Sequence, residues 1–331
     1  MADTRTFDLA DYYPAREAIR YSLTRRGFFS EFNVLVFGYA FALTTGRHIF
    51  VDQQKLPTPW GELFRNALPA IESVDPGRYD RVIDLHPKGF RAEWNDMRRT
   101  IRDACFRRDH VSVPGFGFDG PIDELIFTLA DRLFTPRQEL VDEALAAERA
   151  LGLDRAPFCA VQLRRGDKTE GYLNAKGRLV VETAAVPFEA YAQRIARIAP
   201  DIRDVFVLTD DYGEFEAARQ SHPDFRFHTL CGESERGYFH FDHLDRSLEE
   251  QLSNVRKLLV TVILARRSAA FVGTHWSNLS TGVYMLHPHR ARCACVDEDE
   301  DWSEFDPMFL RKRPSRVGDA EPSALLNKAN A

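Results

Sequence analysis

Blocks of apolar and polar positions follow one another along the chain with enough regularity to predict elements. "AIRYSLT" reads as a strand, "RRGFFSEFNVLVFGYAFALTTG" as a glycine-bearing loop running into an apolar helix, and "RHIFVD" as a second strand. Ser30 is placed to cap that helix, Glu31 suits its first turn and Gly46 its end. The result is a βαβ unit whose loop lies where such units hold ligands.

From about residue 55 to 135 the pattern is weaker. "PTPWGELFRNAL" and "EWNDMRRTIRDACFR" read as helical, and "DHVSVPGFGFDGP" as a short strand with turns. The amphipathic stretch "RQELVDEALAAERALGL" then runs into "DRAP", a candidate domain boundary. Beyond it, strands and helices alternate. The strands are "FCAVQL", "DVFVLT", "FRFHTL", "AAFVGT" and "RCACV". Between them lie helices in "PFEAYAQRIARIAP", "GEFEAARQS", "SLEEQLSNVRKLLVTVILARRS" and "SNLSTGVYMLHP". Such alternation predicts a parallel, doubly wound sheet covered on both faces, in an α/β protein. At 331 residues the chain is long enough for two domains. Residues 1–153 form one and 154–300 the other, with 301–331 a charged tail that packs back on the first domain or frays.

Charge narrows the partners. The formal net charge is −6, which gives no reason to expect nucleic acid and makes any anion site a local basic pocket. No stretch is long and apolar enough for an integral membrane segment, and the acidic N-terminus lacks a signal pattern. The five cysteines show no zinc-like pairing. A reducing, cytoplasmic location is expected, with peripheral membrane association left open. The sequence says nothing about oligomeric state.

In a doubly wound sheet, ligands collect beyond the carboxyl ends of the strands. Three polar clusters fall there: Arg164, Arg165, Gly166, Asp167, Lys168 and Glu170; then Thr209, Asp210 and Asp211; then Thr274, His275, Trp276, Ser277 and Asn278. Each has a bland reading. Paired arginines are commonly solvated, and Asp210, Asp211 and Ser277 suit helix caps. Taken together they describe more. A guanidinium fork suits diphosphate oxygens, and a helix N-terminus with hydroxyls suits anions. A neighbouring carboxylate can receive a ribose hydroxyl or a base donor.

"VQLRRGDK" resembles the H-V-R-R-x-D-K motif of the α1,6-fucosyltransferases and the related NodZ and protein O-fucosyltransferase groups. "VFVLTDD", "FVGTHWSNLSTGVYML" and the N-terminal "RRGFFSEFNVLVFGYAFALTTGRHIFVD" are similar to further segments of that superfamily, in the same order. Two positions depart from it. Gln162 stands in place of the motif histidine, and Thr261 where those enzymes have an aspartate that helps hold the nucleoside.

The resemblance implies a GT-B fold, two Rossmann-like domains facing across a cleft, the first on the acceptor side and the second holding a nucleotide sugar. It implies inverting, metal-independent transfer of fucose from GDP-fucose to a glycan hydroxyl, in an α1,6 or related linkage, with no cofactor beyond the donor substrate. By position, Arg164 would grip the β-phosphate with Arg165 in support. Gln162, Lys168, Asp210, Thr274, Ser277 and Asn278 would bind the donor. Gly27, Phe28 and Phe29 would lie on a closing loop, and Asp167 or Glu170 would be the base. Two alternatives stay open: an inert nucleotide- or carbohydrate-binding protein on the same fold, and a transferase using a different nucleotide sugar. The D-x-D form of Asp297-Glu298-Asp299 is read as a solvated face, and "HFDH" (His240 to His243) as loop histidines, so no metal site is expected.

Overall fold

The computed structural model of the protein describes residues 6–55, 59–73, 75–85, 91–173, 179–181 and 185–296. Asp297 to Asp299 and the 301–331 tail lie outside them. Along the first half run β1 (Glu17–Ser22), α1 (Phe28–Thr44), β2 (His48–Asp52), α2 (Trp60–Leu63), β3 (Arg81–Leu85), α3 (Arg91–Arg107), β4 (His110–Val113), β5 (Phe118–Pro121), α4 (Ile122–Leu133) and α5 (Gln138–Ala150). The second half contains β6 (Phe158–Leu163), β7 (Tyr172–Leu173), β8 (Leu179–Val180), α6 (Phe188–Ile198), β9 (Asp204–Thr209), α7 (Tyr212–Ser221) and β10 (Arg226–Thr229). It ends with α8 (His240–Leu244), α9 (Leu248–Arg267), β11 (Ala270–Gly273), α10 (Asn278–Leu286) and β12 (Cys293–Cys295).

Two parallel sheets organise these elements. The first has the order β2-β1-β3, and the second β10-β9-β6-β11-β12. Counted among the five strands of that sheet, the order is third, second, first, fourth, fifth. Winding therefore reverses between β6 and β11, the point where doubly wound sheets open a crevice for ligands. Strand β6 is buried at all six positions, as a central strand covered on both faces should be.

A single apolar core joins the two sheets. It runs from Ile19, Val34 and Phe37 through Leu140 and Phe158 to Leu259, Val283 and Leu286. The first contact across it is α1 on α10. A Cβ added at Gly282 of α10 would come within 2.6 Å of the Phe29 ring, so only glycine lets the helices approach this closely. Asn33 Nδ2 also donates to the Asn278 carbonyl at 2.8 Å. The second contact is α5 on α9, where Arg267 Nε reaches both oxygens of the buried Glu148 carboxylate at 3.0 and 3.1 Å.

Where the sequence reading and the structure part, the causes are local. Helix α1 begins at Phe28 with Gly27 as its N-cap, so Ser30 lies inside the helix and is no cap. Phe28 and Phe29 are buried, and their burial draws the helix start forward. Glu31 does sit in the first turn, yet its buried carboxylate also turns back to accept from Thr24 N at 3.1 Å and Arg26 Nε at 2.6 Å. That fixes the loop between β1 and α1. Gly46, at φ +64°, follows the helix as expected. Among the described residues of "PTPWGELFRNAL", only Trp60–Leu63 is helical. Among the described residues no helix is long and apolar enough to cross a membrane.

Candidate active site

The ends of β6 and β9 and the segments after β1 and β11 open on one cleft of about 1520 Å³, lined by residues from both halves of the chain. Its lining holds eight arginines and lysines against four carboxylates, in a chain whose net charge is −6. A local basic pocket is therefore present in an acidic chain, the form any anion site was expected to take.

Arg164 emerges from β6 with its side chain mostly buried. Its Nη2 donates to Asp167 Oδ1 at 2.6 Å, its Nη1 pairs with Asp210 Oδ2, and its guanidinium carbon lies 5.3 Å from the centre of the Tyr238 ring. Both carboxylates are themselves pinned. Asp210 accepts from the backbone N–H of Arg165 and of Tyr238, each at 2.9 Å, and Asp167 Oδ2 accepts from His240 N at 3.1 Å. The Arg164 loop and the Ser234–His240 segment are thus laced together around one guanidinium.

Two glycines make that lacing possible. Gly166 has φ +66° and Gly237 φ +84°, a region that L side chains rarely enter. A Cβ on Gly166 would lie 2.6 Å from Tyr238 N, and one on Gly237 would lie 2.9 Å from the Gly166 Cα. The two backbones touch, and Asp167 N donates to the Tyr238 carbonyl at 3.1 Å.

Across the crevice, β11 leads into α10. Ser277 is the N-cap, its side chain accepting from Ser280 N at 3.4 Å, which bears out the cap reading. Gln162, fully buried in β6, accepts from Ser280 Oγ at 2.6 Å and from Thr274 Oγ1 at 3.4 Å. The residue in place of the motif histidine therefore fixes the α10 N-terminus against β6. Asp211 caps α7 through Gly213 N at 2.8 Å, the bland role foreseen for it.

Of the residues to which the resemblance gave a donor-binding or catalytic role, Arg164, Gln162, Asp167, Lys168, Asp210, Ser277, Asn278, Gly27, Phe28 and Phe29 line the cleft together. Three others do not. Arg165 turns away to Glu214 at 2.8 Å and the Val186 carbonyl at 3.1 Å, bracing the far side of the loop. Thr274 is buried with its hydroxyl on Gln162. Glu170 is exposed outside the lining, its N–H closing a turn onto the Gly166 carbonyl. Phe28 and Phe29 are the first residues of α1, not a free loop. Phe28 stacks on Phe64 at 5.9 Å, and Phe29 packs edge-on against Phe32 at 5.7 Å.

The sequence reading missed most of the segment Ser234 to Arg246, which supplies Tyr238, His240, His243 and Arg246 to the lining. It also missed Arg25, Trp94, Arg98 and Lys257. "ERGYFH" offered one usable sign, a glycine before an aromatic residue in a polar loop. His240 and His243 sit on the short helix α8, so they are helical and not loop histidines. Burial, then His240 and Arg246, lower the His243 pKa. Burial pushes the Tyr238 hydroxyl up to about 12 against the opposing pull of Arg164. Among the described residues no group of three or more His, Cys, Asp or Glu is placed to hold a metal ion.

No family model matches the sequence. No curated protein matches it either. Among solved structures, POFUT1 in complex with GDP is similar to this chain at 13% identity and a TM-score of 0.46, over 86% of this chain and 99% of that one. NodZ α-1,6-fucosyltransferase co-crystallized with GDP is similar at 16% identity and a TM-score of 0.45, over 83% and 94%. For a mutant of Arabidopsis thaliana FUT1 in complex with GDP the values are 12% and 0.45, over 82% and 68%.

Proposed function

We propose that the chain is a glycosyltransferase of the GT-B class, with a sugar nucleotide bound where β6 and β11 part. More narrowly, we propose GDP-fucose as the donor and a glycan hydroxyl as the acceptor. The observation that carries the reading is the position of Arg164. It stands at the switch point of a doubly wound sheet, opposite the α10 N-terminus, in a basic cleft lined from both halves of the chain. The motif resemblance of "VQLRRGDK" supports the donor.

In this reading the acceptor oxygen bonds to the sugar's anomeric carbon as the bond from that carbon to the diphosphate breaks. The electron pair leaves with the diphosphate, and the configuration inverts. Negative charge grows on the leaving group, where Arg164, Lys168 and the N–H groups of α10 stabilise it. Asp167 and Asp210 act as positioning residues that hold the Arg164 fork in place. The acceptor proton passes to His243, which lines the cleft and whose imidazole burial holds in the neutral form.

A second reading has one observation in its favour. Asp167 already accepts on both oxygens, and Glu170 lies outside the cleft, so neither expected base is free there. An inert nucleotide-binding protein would tolerate that. GDP release from GDP-fucose, measured over a panel of oligosaccharide acceptors with EDTA present, separates the two. Turnover under EDTA is expected. Nucleotide binding without turnover on any acceptor would leave the inert reading standing, and a requirement for manganese would contradict metal-independent transfer.

A further inference from the structure

The cleft holds more positive charge than a sugar nucleotide uses. Of its four carboxylates, Asp167 and Asp210 hold Arg164 and Glu235 holds Lys257, which leaves Asp242. On the cationic side, Arg25 at the end of the β1 loop and Arg246 after α8 both line the cleft and are exposed. Neither side chain forms an ion pair or hydrogen bond among the described residues. Arg236, also in the lining, is spent on the Glu233 and Glu235 carbonyls, which leaves the Arg25 and Arg246 guanidinium groups open to receive an anion in that cavity.

Arg164, Lys168 and the α10 N-terminus already account for the donor's phosphates in the proposed reaction. Arg25 belongs instead to the β1–α1 loop of the first sheet, across the cleft from the β6–β11 crevice. We infer that the second ligand, the acceptor, is an anionic saccharide whose carboxylate or sulfate groups are received by Arg25 and Arg246. The inference rests on the transferase reading for the word acceptor, and on the cleft's charge alone for the anion.

Calorimetric titration of the full chain at low salt tests it. The probes are an oligogalacturonate, its full methyl ester and a sulfated oligosaccharide of similar length, each with and without GDP. At least one anionic probe should bind tenfold or more tightly than the ester, and the preference should fade as salt is raised. The Arg25→Ala/Arg246→Ala double variant should lose the preference while its GDP affinity stays within about twofold of wild type. Equal binding of charged and esterified probes, no binding of any, or a preference that survives in the double variant would overturn the inference. Loss of GDP affinity in that variant would also overturn it, by assigning these arginines to the donor. Absence of GDP binding by the wild type, with the anionic preference intact, would instead sink the donor reading and leave an anionic-saccharide cleft.

Discussion

The guanidinium of Arg164 lies over the ring of Tyr238, 5.3 Å from its centre, while Asp210 joins the Arg164 guanidinium to the Tyr238 backbone N–H. The aromatic ring and the carboxylate thus orient one cation from two sides. Tyr238→Phe should keep nucleotide affinity, because the ring is what Arg164 meets. Tyr238→Ala should weaken GDP binding about tenfold, the scale of a partly buried cation–π contact. Calorimetry with GDP on both variants checks this.

Gly166 should tolerate no side chain. Its φ of +66° and the Tyr238 backbone against its Cα both oppose a Cβ. Gly166→Ala should lower unfolding stability by about 3 kcal/mol, combining backbone strain with overpacking. It should also weaken GDP binding, because the shifted loop carries Arg164. Urea unfolding and GDP titration on the same preparation measure the two effects.

At the junction of the two sheets, Gly282→Ala should cost about 1–3 kcal/mol despite alanine's better helix propensity, because the new methyl meets the Phe29 ring. Shortening the partner in a Phe29→Leu background should relieve part of that cost. The double-mutant cycle should show coupling of at least about 1 kcal/mol, as expected for residues in direct contact. Additive effects would show that the helices adjust around position 282.

His287 provides a pH signature. It is fully buried between α10 and β12, within 3.2 Å of Ser268 Oγ, and burial followed by His289 lowers its pKa to about 4. The depressed value means the folded state holds this histidine neutral while the unfolded chain binds a proton. Its contribution is present above the ordinary histidine pKa and is lost as pH falls from there toward 4. Between pH 7 and pH 5 it should remove about 2 kcal/mol of stability. Urea unfolding at the two pH values should show a smaller drop in His287→Gln than in wild type.

How far the sequence could be read depended on what sets each feature. Strands β6 and β9 came out with their observed limits, because a buried run closed by polar residues is a local pattern. Strand β3 and helix α4 were not found. β3 is only five residues with two exposed, and α4 follows directly on a hairpin, so flanking signals were lost. The strand ends carrying Arg164, Asp210 and Ser277 were legible because topology places strand ends at a crevice. Tyr238 and Arg246 were not, since they come from a loop that closes on Arg164 only through tertiary contacts. The directions in which Arg165 and Glu170 turn were equally hidden. Adjacent residues on a turn face different ways, and spacing does not say which faces the cleft.

The central claim is that Arg164 holds a nucleotide diphosphate at the β6–β11 crevice. Calorimetric titration of GDP into wild type and Arg164→Ala, both in EDTA, tests it most directly, with circular dichroism confirming that each is folded. Saturable binding to wild type is expected, with a loss of about a hundredfold or more in the variant, the scale of a buried charge-assisted contact. Equal affinity in the two folded proteins, or no binding to wild type, would contradict it.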